Sequence, residues 1–130
     1  MKATITSLIF LLLSLTVSSQ TYKYIGIEEG LSNQKIYKIQ KDARGYMWFL
    51  THVGIDQYNG KEIKHYKLRE GNRELDPLLN INWTFLDKTG TLLVTGKQGR
   101  IFRYDSGHDR FVQIYNMYNY WNKDYHAFVR

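Results

Sequence analysis

Hydrophobic residues in this chain change their spacing at every glycine. Beyond residues 5–17, no stretch longer than about ten residues holds the 3.6-residue period of an amphipathic helix. Instead the chain offers short runs rich in β-branched and aromatic residues, at 36–40, 47–50, 55–58 and 63–68. A second set follows at 83–86, 92–95, 100–104 and 111–115. Such runs suit pleated, half-buried surfaces. They predict four strands in each of two units, the third strand of the second unit holding one extra residue.

The residues between the runs repeat. Asp42 and Asp87, Gly45 and Gly90, and Gly54 and Gly99 each lie 45 positions apart. A period of about 40–50 residues is that of four-stranded propeller blades. In Asp42-Ala43-Arg44-Gly45 and Asp87-Lys88-Thr89-Gly90 the Asp side chain accepts backbone N–H bonds, and the Gly tolerates the positive φ of a chain reversal. Gly54 and Gly99 mark a second reversal, Asn59-Gly60 reads as a two-residue hairpin, and Asp105-Ser106-Gly107 takes that place in the second unit. The expected fold is all-β: a partial β-propeller of two four-stranded antiparallel blades, about 34–68 and 79–115, with the start of a third at 116–130.

Ahead of the repeats, Met1-Lys2 and an apolar run of about 13 residues without an acidic side chain outline a signal-peptide helix over 1–19. Val17 and Ser19 suit the −3 and −1 pockets of a signal peptidase. The rival, a membrane anchor, needs about 20 apolar residues, and Ser7 and Ser14 interrupt this run. Residues 20–130 then form the mature part, expected to be exported.

Composition narrows the chemistry. An apolar content of 43 % with 15 % aromatic residues and a single Pro is that of a folded chain rather than a disordered one. The absence of Cys excludes disulfides, thiol catalysis and Cys-ligated metal. The net charge of +6 is scattered without a basic block, leaving a solvated surface or attraction to an acidic glycan as its readings. His52, His65, His108 and His126 lack partners at metal-ligand spacing, so neither metal nor cofactor is expected. No catalytic Ser-His-Asp signature or phosphate loop is visible.

The spelling Glu29-Gly30-Leu31-Ser32-Asn33, then Ile36, Ile39, Asp42, Gly45, Trp48, Thr51, Gly54, Ile55, Tyr58 and Gly60, resembles the two-component regulator propeller repeat with its leader. The second unit is a weaker copy, with Leu93 in the Trp position and Gly96 in the Thr register. The resemblance, over about 22–115, implies the periplasmic sensor half of hybrid histidine kinases, found especially in gut Bacteroidetes. It implies an oligosaccharide ligand and a kinase in residues not included here, with further blades and a possible homodimer as partners and no nucleic acid.

Asp42, Gly45, Trp48, Thr51, Gly54, Asp87, Gly90 and Gly99 are then structural, with Trp48 an anchor between blades. His52, Lys97 and Gln98, in the turns before Gly54 and Gly99, are the candidate ligand residues. The aromatic residues Tyr115, Tyr118, Tyr120, Trp121 and Tyr125 are core or sugar-stacking candidates, Trp121 as the first anchor of the third blade. Asn82-Trp83-Thr84 is formally a glycosylation sequon, but Trp83 and Thr84 are expected in a buried strand. An Asp-box of sialidase type fits less well, because its Ser and its Asp–Gly spacing differ here. The rival functions are a secreted propeller enzyme acting on carbohydrate and a scaffold without a ligand. Blades bury their faces against neighbours, so two blades alone are expected to leave apolar faces and strand edges exposed.

Overall fold

The computed structural model of the protein describes residues 21–77, 81–96, 98–117 and 119. The signal-peptide segment, Lys97 and most of the proposed third blade lie outside these residues.

The first sheet is a four-stranded antiparallel meander. Its strands are β1 (Ile36–Lys41), β2 (Met47–Thr51), β3 (Ile55–Tyr58) and β4 (Ile63–Tyr66), hydrogen-bonded in that order. The second repeats this with β7 (Trp83–Leu86), β8 (Leu92–Thr95), β9 (Arg100–Asp105) and β10 (Arg110–Asn116). Between them lies a small hairpin, β5 (Arg69–Glu70) and β6 (Arg73–Glu74). The sequence pattern did not announce this hairpin, and it cuts short the fourth strand expected to reach residue 68.

Both Asp turns form as the repeat predicts. The Asp42 carboxylate accepts the backbone N–H groups of Arg44 and Tyr46 at 2.9 and 3.0 Å. Asp87 accepts those of Thr89 and Thr91 at 2.8 and 3.0 Å. Gly45 and Gly90 close the turns at φ of 87° and 74°, a region costly for a residue with a Cβ. The two turns also touch: the Ala43 N–H donates to the Gly90 carbonyl at 3.2 Å. A Cβ on Gly90 would lie 2.3 Å from that of Ala43, so this position is held to Gly twice over.

Three details depart from the pattern. The Asn59 N–H bonds the Glu62 carbonyl, which makes Gly60-Lys61 the tip of the β3–β4 turn rather than Asn59-Gly60. The Asn59 side-chain oxygen accepts the N–H groups of Lys61 and Glu62 and so braces that tip from its first corner. The extra residue of the second unit falls in the β8–β9 turn. Gly96 closes on Arg100 across three residues, where Thr51 closes on Gly54 across two. Trp83 is not buried: it is 60 % exposed while its neighbour Thr84 is 1 % exposed, because successive strand residues face opposite sides and only the Thr84 side meets the first sheet.

The two sheets share one core. Trp48, Leu50, Ile55 and Tyr66 of the first pack with Leu92, Val94, Phe102, Tyr104 and Phe111 of the second, joined by Leu68 and Leu75 of the connection. Trp48 is wholly buried, with ring centroids 4.7 Å from Tyr104, 5.7 Å from Phe111 and 5.6 Å from Tyr66. Its indole N–H donates to Asp42 at 3.0 Å, so one side chain braces a turn of its own sheet and anchors the neighbouring one.

Thr84 projects into this apolar core, and its hydroxyl has no hydrogen-bond partner among the described residues. Ile39 holds the corresponding place in the first repeat. Burying a hydroxyl unpaired costs about 1–3 kcal/mol. Thr84→Val should therefore raise the free energy of urea unfolding by about 1 kcal/mol; an unchanged or lower midpoint would show that the hydroxyl is satisfied.

Candidate functional site

Antiparallel meanders place alternate turns at opposite ends of a sheet. One end collects the Asp turns with the β3–β4 and β9–β10 turns. The other collects the β2–β3 and β8–β9 turns and the long connection from β4 to β7. The expected ligand residues His52 and Gln98 both lie at this second end.

They enter separate networks there. A bulge in β1 between Ile36 and Lys38 breaks its register with β2 and leaves Tyr37 as the extra residue. Bulges re-aim side chains, and here the Tyr37 ring lies 4.5 Å from that of His52, with its hydroxyl hydrogen-bonded to the imidazole Nε2. Gln98 instead accepts a hydrogen bond from Arg100. Arg100 reaches Glu70 on the small hairpin at 3.4 Å, and Glu70 also pairs with Arg73 at 2.7 Å. His52 is thus fastened to the first sheet, and Gln98 to the second sheet and the hairpin between the two. At the inner edge, the Lys38 ammonium crosses to the second sheet, 3.9 Å from the Trp83 ring centroid and 2.6 Å from the Thr84 carbonyl oxygen it donates to.

Sequence reading missed two polar clusters. The first joins Ser32, Thr51, Asp56 and His65. Asp56 is fully buried, and its carboxylate accepts the Ser32 N–H and hydroxyl, each at 2.8 Å, while His65 Nδ1 lies 2.8 Å from its other oxygen. The Ser32 hydroxyl also lies 3.0 Å from that of Thr51. A nucleophilic Ser would need its hydroxyl on the imidazole; here both side chains converge on the carboxylate. The cluster therefore pins the leader to the first sheet. The signal for it was the Gly-Leu-Ser leader itself, because Leu75 takes the place of Leu31 in the second unit and is likewise buried.

The second cluster centres on Asp109, which sits at φ 50° at the end of the β9–β10 turn. Its Oδ1 accepts the hydroxyls of Tyr66 and Tyr104, both at 2.6 Å, and its Oδ2 lies 3.0 Å from the Lys64 ammonium. Tyr66 and Lys64 belong to the first sheet, so Asp109 ties the sheets at the end opposite His52. Hydrogen bonds from Tyr104, then Tyr66, then Lys64 lower its carboxyl to about 2. Burial and the same carboxylate push the Tyr66 phenol far up.

Between the outer strands runs a groove of about 680 Å³, walled by Tyr66, Lys67, Arg69 and Glu70 on one side and Arg110 and Gln113 on the other. Among the described residues no three His, Asp or Glu side chains gather as a metal site, and no helix is long and apolar enough to cross a membrane.

Residues 30–52 match the family model described as the two component regulator propeller. The chain carries a repeat of that family. The match begins at Gly30, inside the leader that Asp56 holds, and runs through Asp42, Gly45, Trp48 and Thr51 to His52 in the β2–β3 turn. No curated protein matches the chain. The matched propeller repeat is a structural unit and not a catalytic one, and its marked residues do structural work here: Asp42 and Trp48 build the turn and the core, and Thr51 joins the leader cluster through Ser32.

The lowered carboxyl of Asp109 gives a pH dependence with a definite sign. Its stabilising contribution is complete above the ordinary carboxylate value near 4 and is lost as pH falls toward about 2. Asp109→Asn should cost about 1 kcal/mol at pH 7, discounted because the carboxylate is half-exposed. It should also flatten the fall in the denaturation midpoint between about pH 4 and 2. A variant with the wild-type acid limb would remove Asp109 from the tie.

Proposed function

We propose that this chain is the first part of an exported sensor propeller of a two-component system, and that it receives a glycan-derived ligand at the end of the sheets bearing the β2–β3 and β8–β9 turns. The observation that carries this reading is the regulator propeller repeat at residues 30–52, folded into a four-stranded sheet whose turn, anchor and leader residues all have structural partners. Nothing in that scaffolding uses His52, which leaves the turn beyond it open to variation between relatives. Propellers bind at the ends of their strands because loops there tolerate change while the sheets stay fixed.

The apolar run at residues 5–17 supports export, and the absence of Cys suits a domain held by sheet packing alone. At the receptive end, the Tyr37 and His52 rings offer flat faces and ring nitrogens. Lys97, Gln98 and Arg100 in and beside the β8–β9 turn offer polar groups for hydroxyls. Signal output lies with a histidine kinase outside this sequence, and further blades complete the ring. The chain itself has a binding role and no catalytic one.

Calorimetric titration of oligosaccharides against the whole propeller domain that begins with this chain is the direct test. A neutral or acidic oligosaccharide should bind, and His52→Ala or Gln98→Ala should weaken it at least about tenfold, a loss of about 1.4 kcal/mol. Unchanged affinity in both variants would move the site away from these turns.

A further inference from the structure

The far face of the second sheet has no neighbour among the described residues. Trp83, Phe85, Val112 and Ile114 stand on it, 60, 40, 37 and 54 % exposed. A hollow of about 300 Å³ opens there, lined in part by Arg103, Val112 and Ile114. Contiguous apolar surface of this kind marks an interaction site.

The strand registers say what shape of partner fits. Aligned through their pairings, Trp48 corresponds to Leu93, Leu50 to Thr95, Gln57 to Arg103, Lys64 to Val112 and Tyr66 to Ile114. In the first sheet that face is covered by the second sheet. The opposite face of the first sheet carries Ile39, Met47 and Phe49. These correspond to Thr84, Leu92 and Val94, the face by which the second sheet meets the first. The chain therefore presents both halves of one interface at its two ends, with the same interface already formed once inside it.

We propose that the far face of the second sheet docks on the outer face of the first sheet of a second copy of this chain, head to tail, continuing the sheet-to-sheet packing within each copy. The turns fit the same arrangement. Where the Ala43 N–H meets the Gly90 carbonyl inside the chain, Lys88 of one copy meets Gly45 of the next, and Gly45 has open space beside it, with only the Lys41 side chain within 4.0 Å. Leu31 of the second copy enters the joint as Leu75 enters the internal one. A contact between two different faces is heterologous, so repeated addition leads toward a closed ring rather than a self-limited pair. This inference is independent of what the propeller senses. A further sheet supplied within a longer chain competes for the same face.

The test is sedimentation equilibrium of the 130-residue protein at rising concentration, with Ile39→Lys and Ile114→Lys. Both side chains are about half-exposed, so both variants should keep the wild-type circular dichroism. The wild type should exceed the monomer mass. Each variant alone should associate at least about tenfold more weakly, about 1.4 kcal/mol, because each lacks one half of the contact. Mixed, they should form a one-to-one dimer and stop, since one retains the far face and the other the outer face. A wild type monomeric throughout, a variant that associates as the wild type does, or a mixture that stays monomeric would each overturn the proposal.

Discussion

A single indole holds two scales of this structure together. The Trp48 N–H bonds the carboxylate that shapes the β1–β2 turn, and its rings lie against Tyr104 and Phe111 of the next sheet. A buried indole needs a partner for its N–H, and Asp42 supplies one only while its turn is formed. Turn geometry and sheet stacking are thereby coupled: the carboxylate fixes the ring plane, and the ring plane decides which aromatic edges the second sheet can offer. Truncating a buried Trp costs about 3–5 kcal/mol, of the same order as the whole stability of a small domain.

The second unit shows how a repeat drifts without losing its turn. Leu93 stands where the Trp would be and has no N–H to give. The Asp87 carboxylate is instead met by the Arg103 guanidinium at 3.0 Å, from the residue facing Leu93 on the adjacent strand. Hydrogen bonds from Thr89 and Thr91 keep the Asp87 carboxyl lowered, to about 2. The acceptor stays and the donor changes, so Asp and Gly persist at the 45-residue offset while the aromatic residue does not.

What could be read in advance follows from that difference. Asp42, Gly45, Asp87 and Gly90 were legible because a reversal imposes its chemistry locally, through backbone N–H groups two and four residues away. Trp83 was not, since which side of a strand is buried depends on where the neighbouring sheet stands. Asp109 and the Ser32–Asp56–His65 cluster were hidden for the same reason: their partners lie 9 to 45 residues away and meet only after the sheets pack. The shift of the β3–β4 tip to Gly60-Lys61 is a smaller case, in which the Asn59 side chain braces the turn from outside it. Of the candidate site, the end of the sheets was legible from strand order alone. The separate fastening of His52 and Gln98 was not.

Two sheets joined through one aromatic cluster make a minimal unit with an open face at each end. The stacking claim is tested most directly by amide hydrogen exchange on Trp48→Ala. If Trp48 joins the sheets, protection should fall in residues 83–116 as well as in 36–66, although the substitution touches only the first. Protection lost in the first sheet alone, with the second unchanged, would contradict the coupling on which this account of the fold stands.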